Sequence, residues 1–222
     1  MKAALVLIGI FFLITARAAP FAVQVGEARI GLDAPPGFAD TMFTGSPRLQ
    51  ELAESQTSPS NRILMFAISD GDLRLFMTGD PPQFRRYMIV VTPKALERER
   101  MSAAGFDRLV AEALRDFGPP AAGDFVKHLD AQPHGRAHLL AGLRKDPEVV
   151  SVLQGTRVPL PRRGSFGEDK GQYVLSSLTL MLLRGKALNL SVYTLYDGPA
   201  DLEWISATTA RWIAELQRLN SR

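Results

Sequence analysis

The chain has 222 residues, is 46% hydrophobic and 22% charged, and carries a formal net charge of +3. That length and balance describe globular protein with room for one sizeable core, and they exclude a disordered chain. With no cysteine present, a disulfide framework, thiolate chemistry and a lipoprotein attachment site are excluded as well.

Met1-Lys2 is followed by an uncharged run from Ala3 to Ile14 and then by Thr15-Ala-Arg-Ala-Ala-Pro20. A basic start, a short apolar stretch and Ala16-x-Ala18 predict a secretory signal peptide over residues 1–18, with an uncleaved anchor as the alternative. One α+β domain is expected over 19–222. The apolar run is shorter than the roughly 20 residues of a membrane span, so no stable span is expected after cleavage. Export without cysteine points to a bacterial periplasm. Cleavage would also remove Lys2 and Arg17, leaving a remainder too near neutral to expect nucleic acid as a partner.

Phe21 to Leu32 alternates loosely and predicts two short strands, or one strand broken at Gly26, ended by Pro35 and Pro36. Ser46-Pro47 opens a short helix with Leu49, Leu52 and Ala53 facing inward. Arg62 to Ile68 is a continuous apolar run, as in a strand buried on both faces. Ser69-Asp-Gly-Asp72 reads as a turn, with Asp70, Asp72 and Asp80 as turn carboxylates, and Leu73 to Met77 as a short strand. Arg86 to Val91 is a strand stopped by Pro93. Ser102 caps a helix whose stripe is Phe106, Leu109, Val110, Ala113, Leu114 and Phe117. Phe125, Leu129, Leu139, Leu140 and Leu143 suggest a helix broken around Pro133-His-Gly135. Glu148 to Leu153 and Thr156 to Leu160 read as two strands, followed by a loop over 161–167.

The closing stretch is the most legible. Tyr173 to Leu183 and Leu188 to Tyr196 form a hairpin about Arg184-Gly-Lys-Ala187, where Gly185 supplies the positive φ of a tight turn. After Asp197-Gly-Pro199, the residues Leu202, Ile205, Thr209, Trp212, Leu216 and Leu219 lie on one stripe of a long amphipathic helix. The fold expected is α+β: an antiparallel sheet flanked by helices in an α/β/α sandwich.

Gly26 to Phe38, a strand running into Pro-Pro-Gly-Phe, together with the closing hairpin and helix over Gln172 to Asn220, resembles the PsbP-like fold family. That family includes the photosystem-II extrinsic subunit and the Ran-binding Mog proteins. The resemblance covers about a third of the chain. It implies a helix–sheet–helix sandwich acting as a non-catalytic accessory or binding module, with a protein or small molecule as partner and no cofactor.

The candidate sites are few. Arg162, Arg163, Arg184 and Lys186, with Arg157, form a candidate anion or partner patch; the competing reading is solubilising charge on turns. Trp204 falls beside the apolar stripe. It belongs to a wide buried face or, as the functional alternative, lines a groove between helix and sheet. His128, Asp130, His134 and His138 contain all three histidines of the chain. Their ring nitrogens and carboxylate make a zinc-like site, and with it a metal-assisted hydrolase, the alternative to the binding module. Pro133 and Gly135 interrupt that cluster, so solvated loop histidines and no metal are the reading preferred. Gly164-Ser-Phe-Gly167 lacks the spacing of a nucleophile elbow, and Gly185-Lys186 lacks that of a phosphate-cradling loop.

Overall fold

A computed structural model describes residues 20–121, 123–159 and 171–221. The expected signal peptide lies outside the described residues, as do Arg162 and Arg163. β1 (Phe21–Val25) and β2 (Ala28–Leu32) form a separate antiparallel hairpin. Its turn has Gly26 at φ +55°, where an added Cβ would lie 2.4 Å from the Glu97 carbonyl oxygen.

The main sheet has seven strands, all antiparallel: β3 (Phe38–Asp40), β4 (Asn61–Ser69), β5 (Arg86–Pro93), β6 (Ala137–Asp146), β7 (Val149–Val158), β8 (Gln172–Leu183) and β9 (Lys186–Tyr196). Their order across the sheet is β3-β4-β5-β9-β8-β7-β6. Five helices accompany it among the described residues: α1 (Pro47–Ser55), α2 (Asp70–Thr78), α3 (Ala103–Leu114), α4 (Phe125–Asp130) and α5 (Pro199–Asn220).

The continuous apolar strands follow from a sheet covered on both faces. Met65, Ala67, Met88, Val90, Leu188, Leu190 and Met181 point to a core shared with Ile205, Trp212, Ile213 and Leu216 of α5, Leu129 of α4, and Val25, Ile30 and Leu32 of the small hairpin. The intervening residues Phe66, Ile68, Ile89 and Val91 meet Leu49 and Ala53 of α1 and Leu73 and Phe76 of α2. Leu180 and Leu182 meet Phe106 of α3 on that same opposite face. The expected α+β sandwich is therefore the observed one.

Local chemistry explains where the elements begin. The Ser46 hydroxyl accepts the Leu49 amide at the start of α1, and the Ser102 hydroxyl accepts the Gly105 amide before α3. The turn between β8 and β9 is Arg184-Gly185, with φ of +51° and +77°; positive φ at both positions is what a two-residue hairpin with the sheet's own twist requires.

Four expectations change. Residues 70–78 are helix α2, not a turn and strand: Ser69 caps it by accepting the Asp72 amide, and Gly79 ends it in the left-handed region at φ +86°. Residues 137–146 are strand β6, not the end of a broken helix, and residues 149–158 are one strand, not two. Lys186 does not decorate a turn. It opens β9 at 1% exposure, its Nζ donating to Glu27 Oε2 at 2.8 Å and to the Glu99 carbonyl at 2.7 Å.

Candidate functional site

The strand β2 and the residues after it run alongside α5, in the opposite direction. Gly31 meets Asn220, the carbonyl of Asp33 accepts Trp212 Nε1–H at 2.8 Å, and the Phe38 ring lies 6.1 Å from that of Trp204. Pro35 and Pro36 stiffen the middle of this segment, since each fixes its own φ. Between it and the helix is a groove of about 320 Å³, walled by Ala34, Pro35, Pro36 and Phe38 on one side and by Trp204, Thr208, Trp212 and Glu215 on the other. Asp33 and Arg211 complete the lining.

Trp204 is half-buried and lines this groove, the functional alternative of the two readings of its position. Its ring is fixed from one side by Arg86, whose guanidinium carbon sits 4.1 Å from the ring centre. Arg86 is in turn held by Asp201 at 2.9 Å, and Arg85 reaches the same carboxylate at 3.3 Å while also pairing with Asp197. Burial alone pushes the Asp201 pKa up. The Asp197 amide and the Arg86 and Arg85 guanidinium groups outweigh it and hold the carboxyl below its usual range. These charges are thus committed to orienting Trp204 and the start of α5.

The far side of the groove is less tied down. Both Glu215 oxygens are taken by Arg218, at 2.9 and 2.5 Å. Arg211 is exposed; its Nε donates to the Ala207 carbonyl at 3.3 Å, and it makes no ion pair among the described residues. Thr208 is 4% exposed, and its hydroxyl has no hydrogen-bond partner among the described residues.

Of the candidate basic patch, the described residues Arg184 and Lys186 do not line this groove. Arg184 lies at the opposite end of α5, donating to the carbonyls of Arg29 and Asn220. The sixteen residues from Trp204 to Asn220 correspond to about 24 Å along a helix. Lys186 is buried, as described above, and so cannot present its charge to a partner.

The histidines are distributed over two elements. His128 on α4 and His138 on β6 meet edge to face, with ring centres 5.8 Å apart. Asp130 is engaged elsewhere, accepting from the Tyr173 hydroxyl and lying 3.8 Å from Arg157. Among the described residues no group of three or more histidines and carboxylates is arranged to hold a metal ion, so His128, Asp130, His134 and His138 do not converge as ligands. Desolvation, then His128 and Arg136, lower the pKa of His138. Burial raises the Tyr173 hydroxyl to about 12, helped by its bond to Asp130.

Thr208 and Arg211 escaped the reading of the sequence. The signal is a second row on α5, Trp204, Thr208, Arg211 and Glu215, at spacings of four, three and four beside the buried stripe. Nothing local could have brought residues 33–38 to it.

No family model and no curated protein matches this chain. Among solved structures it is similar to the Saccharomyces cerevisiae Ran-binding protein Mog1p, with 13% identity and a TM-score of 0.37 over 92% of this chain and 93% of that one. It is similar to the same degree to a mutant of protein Mog1, with 13% identity and a TM-score of 0.37 over 92% and 94% of the two chains.

Proposed function

We propose that this chain is an exported binding or accessory module that receives a ligand in the groove between α5 and residues 33–38 and performs no chemistry on it. The observation that carries this reading is the groove itself: Trp204 and Trp212, the chain's two tryptophans, both wall it, and each is held by a directed contact, to Arg86 and to the Asp33 carbonyl. Preformed clefts with aromatic walls and few polar groups are what small-molecule and peptide sites look like. The ionisable groups nearby favour binding over proton transfer, because Asp201 is engaged by Arg85 and Arg86 and Glu215 by Arg218. Export to the periplasm is supported by the order Lys2, apolar run, Ala16-x-Ala18.

A chemically mixed fragment library, followed by NMR at the two indole N–H signals, tests the groove. Fragments should shift both signals saturably and leave the solution unchanged chemically. A library that moves neither indole signal would overturn the reading. N-terminal sequencing of the secreted form should begin at Ala19 or within a residue or two; a chain starting at Met1 in the cytoplasm would remove the export part alone.

A further inference from the structure

We infer, on the reading that the groove binds ligands, that its ligand is a small organic acid: a carboxylate carried on a flat apolar body. The walls set the body. Trp204 and Phe38 present aromatic surface, with Trp212 buried at the wall behind them, and about 320 Å³ lies at the small end of the roughly 300–1,000 Å³ of small-molecule sites.

The charge of the head group follows from which lining groups are already neutralised. Glu215 is clamped by two nitrogens of Arg218, and Asp33 lies in the field of that same arginine. Arg211 has no carboxylate partner among the described residues, and its one hydrogen bond leaves from Nε, so both terminal nitrogens remain for a ligand. Arg211 is therefore the charged group of the lining that makes no ion pair among the described residues. A guanidinium fork matches a carboxylate through two parallel hydrogen bonds.

Thr208 supplies the second observation. It stands three residues before Arg211, hence on the same helix face. A buried helical threonine ordinarily returns its hydroxyl to the carbonyl four residues earlier; here the hydroxyl has no partner among the described residues, and the residue lines the groove. A buried hydroxyl left unmatched is unfavourable unless something supplies the missing bond. A carboxylate held by Arg211 can accept it.

The test uses the chain with its two tryptophans as reporters, since both line the groove. Fluorescence is titrated with 4-phenylbutyrate, 4-phenylbutyramide and 4-phenylbutylamine, which share one body and differ in the head. The acid should bind saturably and the amide and amine about tenfold more weakly or worse. Arg211→Gln should weaken the acid by about tenfold and leave the amide unchanged. Thr208→Val, which keeps the shape, should weaken the acid with an unchanged thermal midpoint or a higher one. An amine or amide that binds as tightly as the acid, or an Arg211→Gln protein that binds it unimpaired, overturns the acid while leaving groove binding intact. Silence from all three probes also overturns it, and the broader fragment library then decides the groove separately.

Discussion

Asn220 pairs with Gly31 as a neighbouring strand would: its Nδ2 donates to the Gly31 carbonyl and its Oδ1 accepts the Gly31 amide, each at 2.8 Å. The same Nδ2 also donates to the Leu216 carbonyl at 2.8 Å, so one side chain closes the end of α5 and the outer edge of β2 together. Among the described residues β2 has a strand partner only in β1, and an open edge is a template for unwanted pairing. Asn220→Ala leaves these buried backbone groups without partners and should cost about 1–3 kcal/mol in urea titrations. Asn220→Asp should be no better, because a carboxylate would face two carbonyls. A loss below about 0.5 kcal/mol for both would show that water replaces the side chain freely.

Trp212 joins the core to the groove wall. It is 2% exposed and bonded to the Asp33 carbonyl. Trp212→Ala should cost about 3–5 kcal/mol through lost burial and the cavity left behind. Trp212→Phe removes the indole donor to the Asp33 carbonyl and should cost about 0.5–1.5 kcal/mol, the usual worth of one such hydrogen bond. Arg211→Ala, exposed on the next position, should stay within about 0.5 kcal/mol. Urea midpoints of the three variants check the series.

Lys186 is a buried cation with a solvent-facing partner, since the Glu27 side chain is 59% exposed. Lys186→Met keeps the stem and removes the charge. The Glu99 carbonyl then loses its donor, for about 1–3 kcal/mol of stability, whereas Glu27 can return to water. The hydrogen bond from Lys186 is the leading reason that the Glu27 pKa lies below its ordinary value. A depressed carboxylate adds stability that is complete above the ordinary glutamate range and is lost as pH falls through the lowered folded value. NMR titration should show the Glu27 pKa moving up toward its ordinary value in Lys186→Met, and the part of the acid sensitivity that Lys186 causes should vanish.

His138 acts at a higher pH. Its Nε2 is buried without a hydrogen-bond partner among the described residues, and its pKa is lowered by desolvation, His128 and Arg136. The unfolded chain then takes up a proton before the folded one. Stability should be complete above the ordinary histidine range and fall as pH drops from there to the lowered folded value. Urea midpoints measured across that range should decline for the natural chain and flatten for His138→Phe.

Much of this fold is legible because burial on two faces writes itself as unbroken apolar runs, as in Ile63 to Ile68 and Tyr87 to Val91. Where the reading failed, a period was disturbed. β6 slips register between Leu139 and Ala141 and again between Gly142 and Arg144. Two bulges turn alternation into the spacing of Leu139, Leu140 and Leu143, which imitates a helix. In α2 the nine residues are too few for periodicity to decide, and the better signals were Ser69 three residues before Asp72 and the terminal Gly79. Lys186 looked exposed because its two partners lie in distant parts of the chain. The groove was half-legible: Trp204 could be placed beside the stripe, but its opposite wall depends on a contact between Phe38 and Trp204 that no local pattern encodes.

The position of β9 has a consequence for how the chain comes to be folded at all. It is the last strand in sequence among the described residues yet lies between β5 and β8, so that Val90 of β5, paired on one side with Met65 of β4, finds its partner on the other side only in Leu190. Until those late residues arrive, β3, β4 and β5 end in a bare inner edge, and β6, β7 and β8 in another. Contacts this distant in sequence are slow to form, because the intervening chain must be closed first. A chain emerging from its N-terminus therefore cannot lock its sheet before its C-terminal quarter is present. Any product truncated before Lys186 would hold two unpaired half-sheets, whose bare edges favour aggregation.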